Sequence, residues 1–287
     1  MSKLSILILE EKSLEPVSFH EFNALYQQGV SDIFNYWTPQ MQDEIAAHNC
    51  GWSSGNFDFY NYLRASSVRF YKAYYSFAGK GIEQRICDIG GFWGVFPIAL
   101  KALGYDVTMT ETLQYYSDSF NNLFKFIADK GVNVLDYDPF EQEALQMVNF
   151  DVVTVLAVLE HYPHSLKLFM ENVVAIMSPH GLLYIEVPNV AYWPKRVRMM
   201  RGQTPYVPLN NIYESKVPFI GHHHEFTMVE LRDLARLANL EIAEEHYFNY
   251  SWTRGELSRL IEHPVESIAN MLAPSTRECL AIVCKKR

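Results

Sequence analysis

The chain has 287 residues and a net charge of −9, from 24 Lys and Arg against 33 Asp and Glu. That length allows one large domain or a core domain with an appended segment, and the acidic balance argues against nucleic acid or an anionic membrane as partner. Hydrophobic residues at 49% and charged residues at 20% exclude a disordered or fibrous chain.

The first apolar run, Leu4 to Leu9, is too short for a signal-peptide core or for a membrane span of about 20 residues. Residues 1–80 then lack any strand-helix alternation and read as a helical N-terminal extension or cap, with helices near His20–Gln28, Pro39–His48 and Phe57–Phe77. Of the 41 Phe, Tyr and Trp residues, 16 fall between Phe19 and Phe77. Rings in that density serve as packing or as walls of a pocket, and packing is the expectation for most of them. From Arg85 onward, apolar runs of strand length alternate with amphipathic stretches. The expected strands are Arg85–Ile89, Asp106–Thr110, Val132–Leu135, Asp151–Leu156, Gly181–Val187, Glu241–Tyr250 and Cys279–Lys285, the first five parallel. Helices are expected at Val95–Leu103, Tyr115–Lys130, Pro139–Met147, Leu166–Met177, Thr227–Ala238 and near Glu256–Met271. Gly104 and Gly131 stand where helix C-caps belong, and Ser178 to Gly181 reads as a turn. Thr227 with Glu230 has the spacing of a capping box. The fold class is thus α/β, a doubly wound and mostly parallel seven-stranded sheet over residues 81–287, with a lid-like insertion at 190–224. Cys50, Cys87, Cys279 and Cys284 have neither C-x-x-C spacing nor the density of a disulfide scaffold, so buried thiols in a cytoplasmic protein are expected.

Chemistry concentrates at strand ends. Ile86-Cys87-Asp88-Ile89-Gly90-Gly91-Phe92-Trp93-Gly94 is an apolar strand opening through glycines into a helix, and Glu111 ends the next strand. A carboxylate there is placed to accept both hydroxyls of a ribose bound across the first strand-helix turn. A dinucleotide site prefers G-x-G-x-x-G, but here its third position is Phe92, and Asp88 is poorly placed beside a pyrophosphate. Asp88 is better placed for a cationic ligand with an α-amino group, such as S-adenosylmethionine.

This stretch resembles the first motif of the class I S-adenosylmethionine-dependent methyltransferases, D-x-G-x-G-x-G, with Phe92 in place of the middle glycine. Asp106 to Glu111, Phe150 to Val153, Val158 to His161, Met177 to Ile185 and Val187 to Asn189 resemble the family's later strand-end motifs in order. The resemblance covers about residues 84–285. It implies S-adenosylmethionine as cofactor, contacts to its methionine part from Asp88, Gly90 and Gly91, to its ribose from Glu111, and Asp138 near its adenine.

Methyl transfer to a hydroxyl needs a base, and His161 and His222 compete for that role. His161 follows the fourth strand, whereas His222 fits the place where related enzymes carry a His a few residues before a Thr. His222, His224 and Glu225 are metal-ligand types, but consecutive residues rarely converge on one ion, so no metal is expected. The 191–201 stretch mixes aromatics with four cations and reads as an amphipathic helical lid or as a contact for an anionic acceptor. Its likeness is to methyltransferases of surface-polysaccharide biosynthesis. The expected activity is methyl transfer to a hydroxyl of a small-molecule or carbohydrate-type acceptor. The rivals are an NAD-dependent oxidoreductase and a non-catalytic S-adenosylmethionine-binding module.

Overall fold

Short apolar runs after residue 84 build one seven-stranded sheet: β1 Arg85–Ile89, β2 Asp106–Glu111, β3 Asn133–Asp136, β4 Phe150–Leu156, β5 Met177–Pro188, β6 Leu240–Phe248 and β7 Cys279–Lys286. These come from a computed structural model, which describes residues 15–48, 57–79, 84–140, 149–163, 165–251 and 256–287. The Leu4–Leu9 run, Cys50 and almost all of the expected Pro139–Met147 helix lie outside the described residues. Cys87, Cys279 and Cys284 are buried free thiols.

The strand order is β3-β2-β1-β4-β5-β7-β6. Strands β1 to β5 pair in parallel, and β7 runs antiparallel between β5 and β6. The order reverses between β1 and β4, and in such sheets ligands bind in the crevice beyond the strand ends at that point. The central strands are apolar on both faces because helices cover both. Val152, Val153 and Val155 on β4 are all buried.

Some elements depart from the expectations, each for a local reason. Strand β5 begins at Met177, so the expected turn at Ser178 to Gly181 lies within it. Met177 pairs with Phe150, the register then shifts, and His180 takes φ 62°, which is how a bulge absorbs the extra residues. The expected Phe57–Phe77 helix divides at Ser66 into α3 Phe59–Ala65 and α4 Ser67–Phe77, after α1 Phe19–Phe34 and α2 Pro39–His48. Ser66 Oγ donates to the Tyr62 carbonyl at that break. Tyr115–Lys130 is helical only as α6, Asn121–Asp129, which follows α5 at Val95–Ala102 and two short 3-10 turns. Beyond β4, α7 occupies Leu166–Ile176. The 190–224 stretch holds two helices, α8 Trp193–Met200 and α9 Leu209–Glu214, and α10 Met228–Leu237 starts at the expected Thr227–Glu230 capping box. Pro264 divides the last helical stretch into α11 Glu256–Glu262 and α12 Pro264–Leu272.

The N-terminal helices share their core with the sheet layer. Phe22, Tyr26, Val30 and Ile33 form the buried face of α1, which packs on α5, and the rings of Phe22 and Phe70 meet Phe96. Trp37 and Phe59 hold their ring centroids 4.3 and 4.7 Å from that of Trp93. Many of the rings of this segment therefore pack, and part of what they pack on is the loop after β1. No helix among the described residues is long and apolar enough to cross a membrane.

Candidate functional site

The loop from β1 to α5 is Gly90-Gly91-Phe92-Trp93-Gly94, and it turns through three left-handed residues, Gly90 (φ 64°), Phe92 (φ 54°) and Gly94 (φ 72°). The N–H groups of Gly90 and Gly91 donate to the Thr110 carbonyl at 3.0 and 3.2 Å, which ties the loop to β2. A Cβ at Gly91 would fall 2.4 Å from Met109 Cγ and 3.1 Å from Asp88 Oδ2. A side chain there would crowd both Met109 and Asp88. Phe92 keeps the left-handed conformation without being glycine. Its ring stacks on Trp93 at 3.9 Å, and its N–H donates to Glu111 Oε1 at 2.5 Å.

Three acids stand at or just past the ends of adjacent strands. Asp88 on β1 is 2% exposed, and its Oδ1 accepts from Thr154 Oγ1 at 2.6 Å. Burial pushes its pKa up to about 7, against the opposing effect of the Thr154 bond. Glu111 on β2 is also buried, and its Oε2 accepts from the Tyr116 hydroxyl at 3.1 Å. Burial pushes it up to about 8, with the Phe92 N–H and Tyr116 pulling the other way and Asp88 adding to the rise. Asp138, past β3, is buried and its Oδ1 accepts from the Phe140 N–H at 2.8 Å, so it also holds its own loop. Two carboxylates raised by burial, beside backbone that only glycine permits, fit a ligand that brings a cation to Asp88 and vicinal hydroxyls to Glu111. S-adenosylmethionine is such a ligand.

The two candidate histidines, far apart in sequence, are neighbours. His161 ends a 3-10 turn, Leu159–His161, after β4, and its ring lies edge-on to that of His222 with centroids 4.8 Å apart. His161 Nδ1 donates to the Ile220 carbonyl at 2.6 Å, and burial, with His222 adding to it, lowers its pKa to about 3. His222 Nδ1 donates to Glu225 Oε1 at 2.9 Å, while Lys195 on α8 pairs with Glu225 Oε2. His223 and His224 turn elsewhere, to the Phe219 carbonyl and to Glu230. The turn that carries His161 borders the glycine loop through Val158, whose side chain lies 2.8 Å from where a Cβ of Gly90 would stand. Glu160, next to His161 in the same turn, is fully buried, neither carboxylate oxygen has a hydrogen-bond partner among the described residues, and burial pushes its pKa up to about 7.

Sequence reasoning placed Asp88, Gly90, Gly91, Glu111, Asp138, His161 and His222; the fold brings the first six to the strand ends or the turns just beyond them, and His222 reaches His161 from the 190–224 segment. It missed Thr154, Tyr116 and the roles of Glu160, Glu225 and Lys195. The one hydroxyl within the run Val152-Val153-Thr154-Val155-Leu156 was a usable signal for Thr154. Lys195 was read only as one of the four cations of the 191–201 stretch, with its partner Glu225 in another element, and nothing local marks Tyr116 as a donor to Glu111.

A family model described as a methyltransferase domain matches residues 60–245. A search of curated proteins finds no match. Among solved structures, the chain is similar to a 1,6-didemethyltoxoflavin-N1-methyltransferase from Burkholderia thailandensis, crystallised with its acceptor and S-adenosylhomocysteine. That match has 14% identity and a TM-score of 0.51, and covers 94% of this chain and 91% of that one. It is also similar to an S-adenosylmethionine-dependent methyltransferase from Mesorhizobium loti, with 13% identity, a TM-score of 0.53 and 77% and 98% coverage. A third, from Archaeoglobus fulgidus, has 18% identity, a TM-score of 0.50 and 79% and 94% coverage.

Proposed function

Since this chain belongs to the methyltransferase domain family, with S-adenosylmethionine as its methyl donor, we propose that it methylates a hydroxyl of a small-molecule or carbohydrate-type acceptor. The donor supplies a methyl group already activated on a sulfonium, which departs while the sulfur keeps the bonding pair. Residues of the chain then have three tasks: to hold the donor, to align the acceptor and to draw off its proton. Asp88, Gly90 and Gly91 hold the methionine part, Glu111 the ribose, and Asp138 stands near the adenine. The N-terminal helices within 1–80 cap the acceptor side, and the 190–224 segment forms its lid.

The observation that carries the hydroxyl reading is the His222–Glu225 pair. A carboxylate accepting from Nδ1 fixes the ring's tautomer and leaves the lone pair on Nε2, a basic site for a hydroxyl proton. His161 has a backbone carbonyl behind it instead, so its Nδ1–H is fixed without an activating charge. A nitrogen acceptor, the kind of atom named for the Burkholderia thailandensis enzyme, has its own lone pair once neutral and gains less from such a base. The test is release of S-adenosylhomocysteine from panels of sugars, small alcohols and amines. Turnover of a hydroxyl acceptor is expected, with His222→Ala slower by roughly 10²-fold or more, in the range for loss of a general base. Turnover of amines alone, or an unchanged rate in the variant, would remove the hydroxyl reading.

A further inference from the structure

Glu160, His161 and His222 each offer one ligand atom, and these atoms lie within 4.8 Å of one another. We infer that the three side chains are the protein ligands of one divalent transition-metal ion of the zinc type, bound on the acceptor side of the site. Three features support this. The first is the burial of Glu160: neither oxygen has a hydrogen-bond partner among the described residues, so a bound cation would supply the compensation that a proton otherwise gives. The second lies behind the ligands. Metal-bound histidines almost always donate their other ring N–H to a carbonyl or carboxylate, and here His161 gives Nδ1–H to the Ile220 carbonyl and His222 gives it to Glu225. Each ring therefore keeps its lone pair on Nε2. The third is composition, because two imidazoles and one carboxylate with further positions left open form a common catalytic set for zinc and suit magnesium or calcium poorly.

Ligands about 2.0–2.2 Å from one ion stand roughly 3.3 Å apart in a tetrahedral set, closer than the 4.8 Å that bounds the three groups, so they must draw in on binding. The side chain of His222, 31% exposed, gives the ion a way in. His224 and its neighbour His223 have outer partners of their own and do not join the set. In its catalytic consequence the inference rests on the hydroxyl reading above. With an ion bound, His222 Nε2 would be a ligand in place of the base described above; the ion would then acidify the acceptor hydroxyl, whose proton passes to water as the methyl moves from sulfur to oxygen.

The experiment uses the full chain, stripped with a chelator and titrated with Co²⁺ and Zn²⁺, with visible absorbance reporting cobalt coordination. One equivalent of cobalt is expected. Glu160→Gln, His161→Ala and His222→Ala should each weaken binding at least tenfold, Glu225→Gln by about 10–100-fold as an outer-shell partner, and His224→Ala not at all. Calorimetry with S-adenosylhomocysteine on the same variants separates the two readings, since cofactor affinity should survive in all of them. If Glu160→Gln fails to bind the cofactor and so is misfolded, the partly exposed His222→Ala decides. Binding well below one equivalent, equal affinity in parent and His222→Ala, or a loss in His224→Ala of the same size would overturn the assignment, whatever the acceptor proves to be.

Discussion

At the scale of single residues, the cofactor side is governed by the cost of burying charge. Unfolded Asp and Glu titrate near about 4, whereas Asp88 keeps its proton to about 7 and Glu111 to about 8. The stability this provides is full below the ordinary carboxylate range and is lost as pH rises through those two values. In the proposed site, a donor whose ammonium meets Asp88 and whose ribose meets Glu111 in their ionised forms reverses the balance, because it must release their protons. The affinity for S-adenosylhomocysteine should therefore increase between about pH 6 and 8.5, with proton release in calorimetry across buffers of different ionisation enthalpy. Over the same range the ligand-free protein should lose thermal stability. Asp88→Asn should weaken binding by about 1.5–3 kcal/mol, the usual worth of a hydrogen bond to a charged group, and flatten the lower part of the profile. A pH-independent affinity would mean that neither carboxylate touches the ligand.

At the scale of elements, the loop from β1 to α5 decides how much was legible in sequence. Asp88, the glycines and Glu111 were readable because strand ends are marked by a change from apolar to turn residues, and the sheet order then brings them together. Phe92 was legible only as a departure. In the structure it takes the left-handed conformation that a glycine would adopt freely, at a cost of roughly 1–2 kcal/mol for an L-residue, and its stack on Trp93 offsets that cost. The partners of Trp93 were not legible, since Trp37 and Phe59 come from an N-terminal segment whose rings gave density but no direction. Two substitutions separate strain from packing. Phe92→Ala loses the ring and keeps the strain, whereas Phe92→Gly loses the ring and relieves it. The Gly variant should be the more stable by about 1 kcal/mol in urea unfolding, the reverse of the usual order in which Ala exceeds Gly. If Ala is the better, the left-handed turn is not a feature of the loop in solution.

For the molecule as a whole, the question is what joins the N-terminal helices to the sheet besides rings. One link is polar and buried. Arg69 on α4 donates to Glu186 Oε2 on β5 from Nε at 3.1 Å and from Nη2 at 2.5 Å, with Glu186 fully inaccessible. The guanidinium also lies over the Tyr250 ring at 4.9 Å and donates to the Tyr62 hydroxyl at 3.3 Å. A buried pair of this kind has little net worth against an apolar replacement, because desolvation of both charges cancels most of their attraction, but removing one partner leaves the other charge buried and unpaired. Arg69→Met should therefore cost about 3–5 kcal/mol, enough to consume much of the stability of an ordinary domain. The double variant Arg69→Met with Glu186→Leu should regain most of that loss. Urea unfolding of the parent, both single variants and the double variant gives the coupling directly. A small loss in Arg69→Met would mean that water reaches Glu186 and that the joint between helices and sheet is loosely packed. A large loss recovered in the double variant would place this ion pair among the contacts that hold the helical segment on the sheet, a link that 117 residues of sequence separation hid from any local pattern.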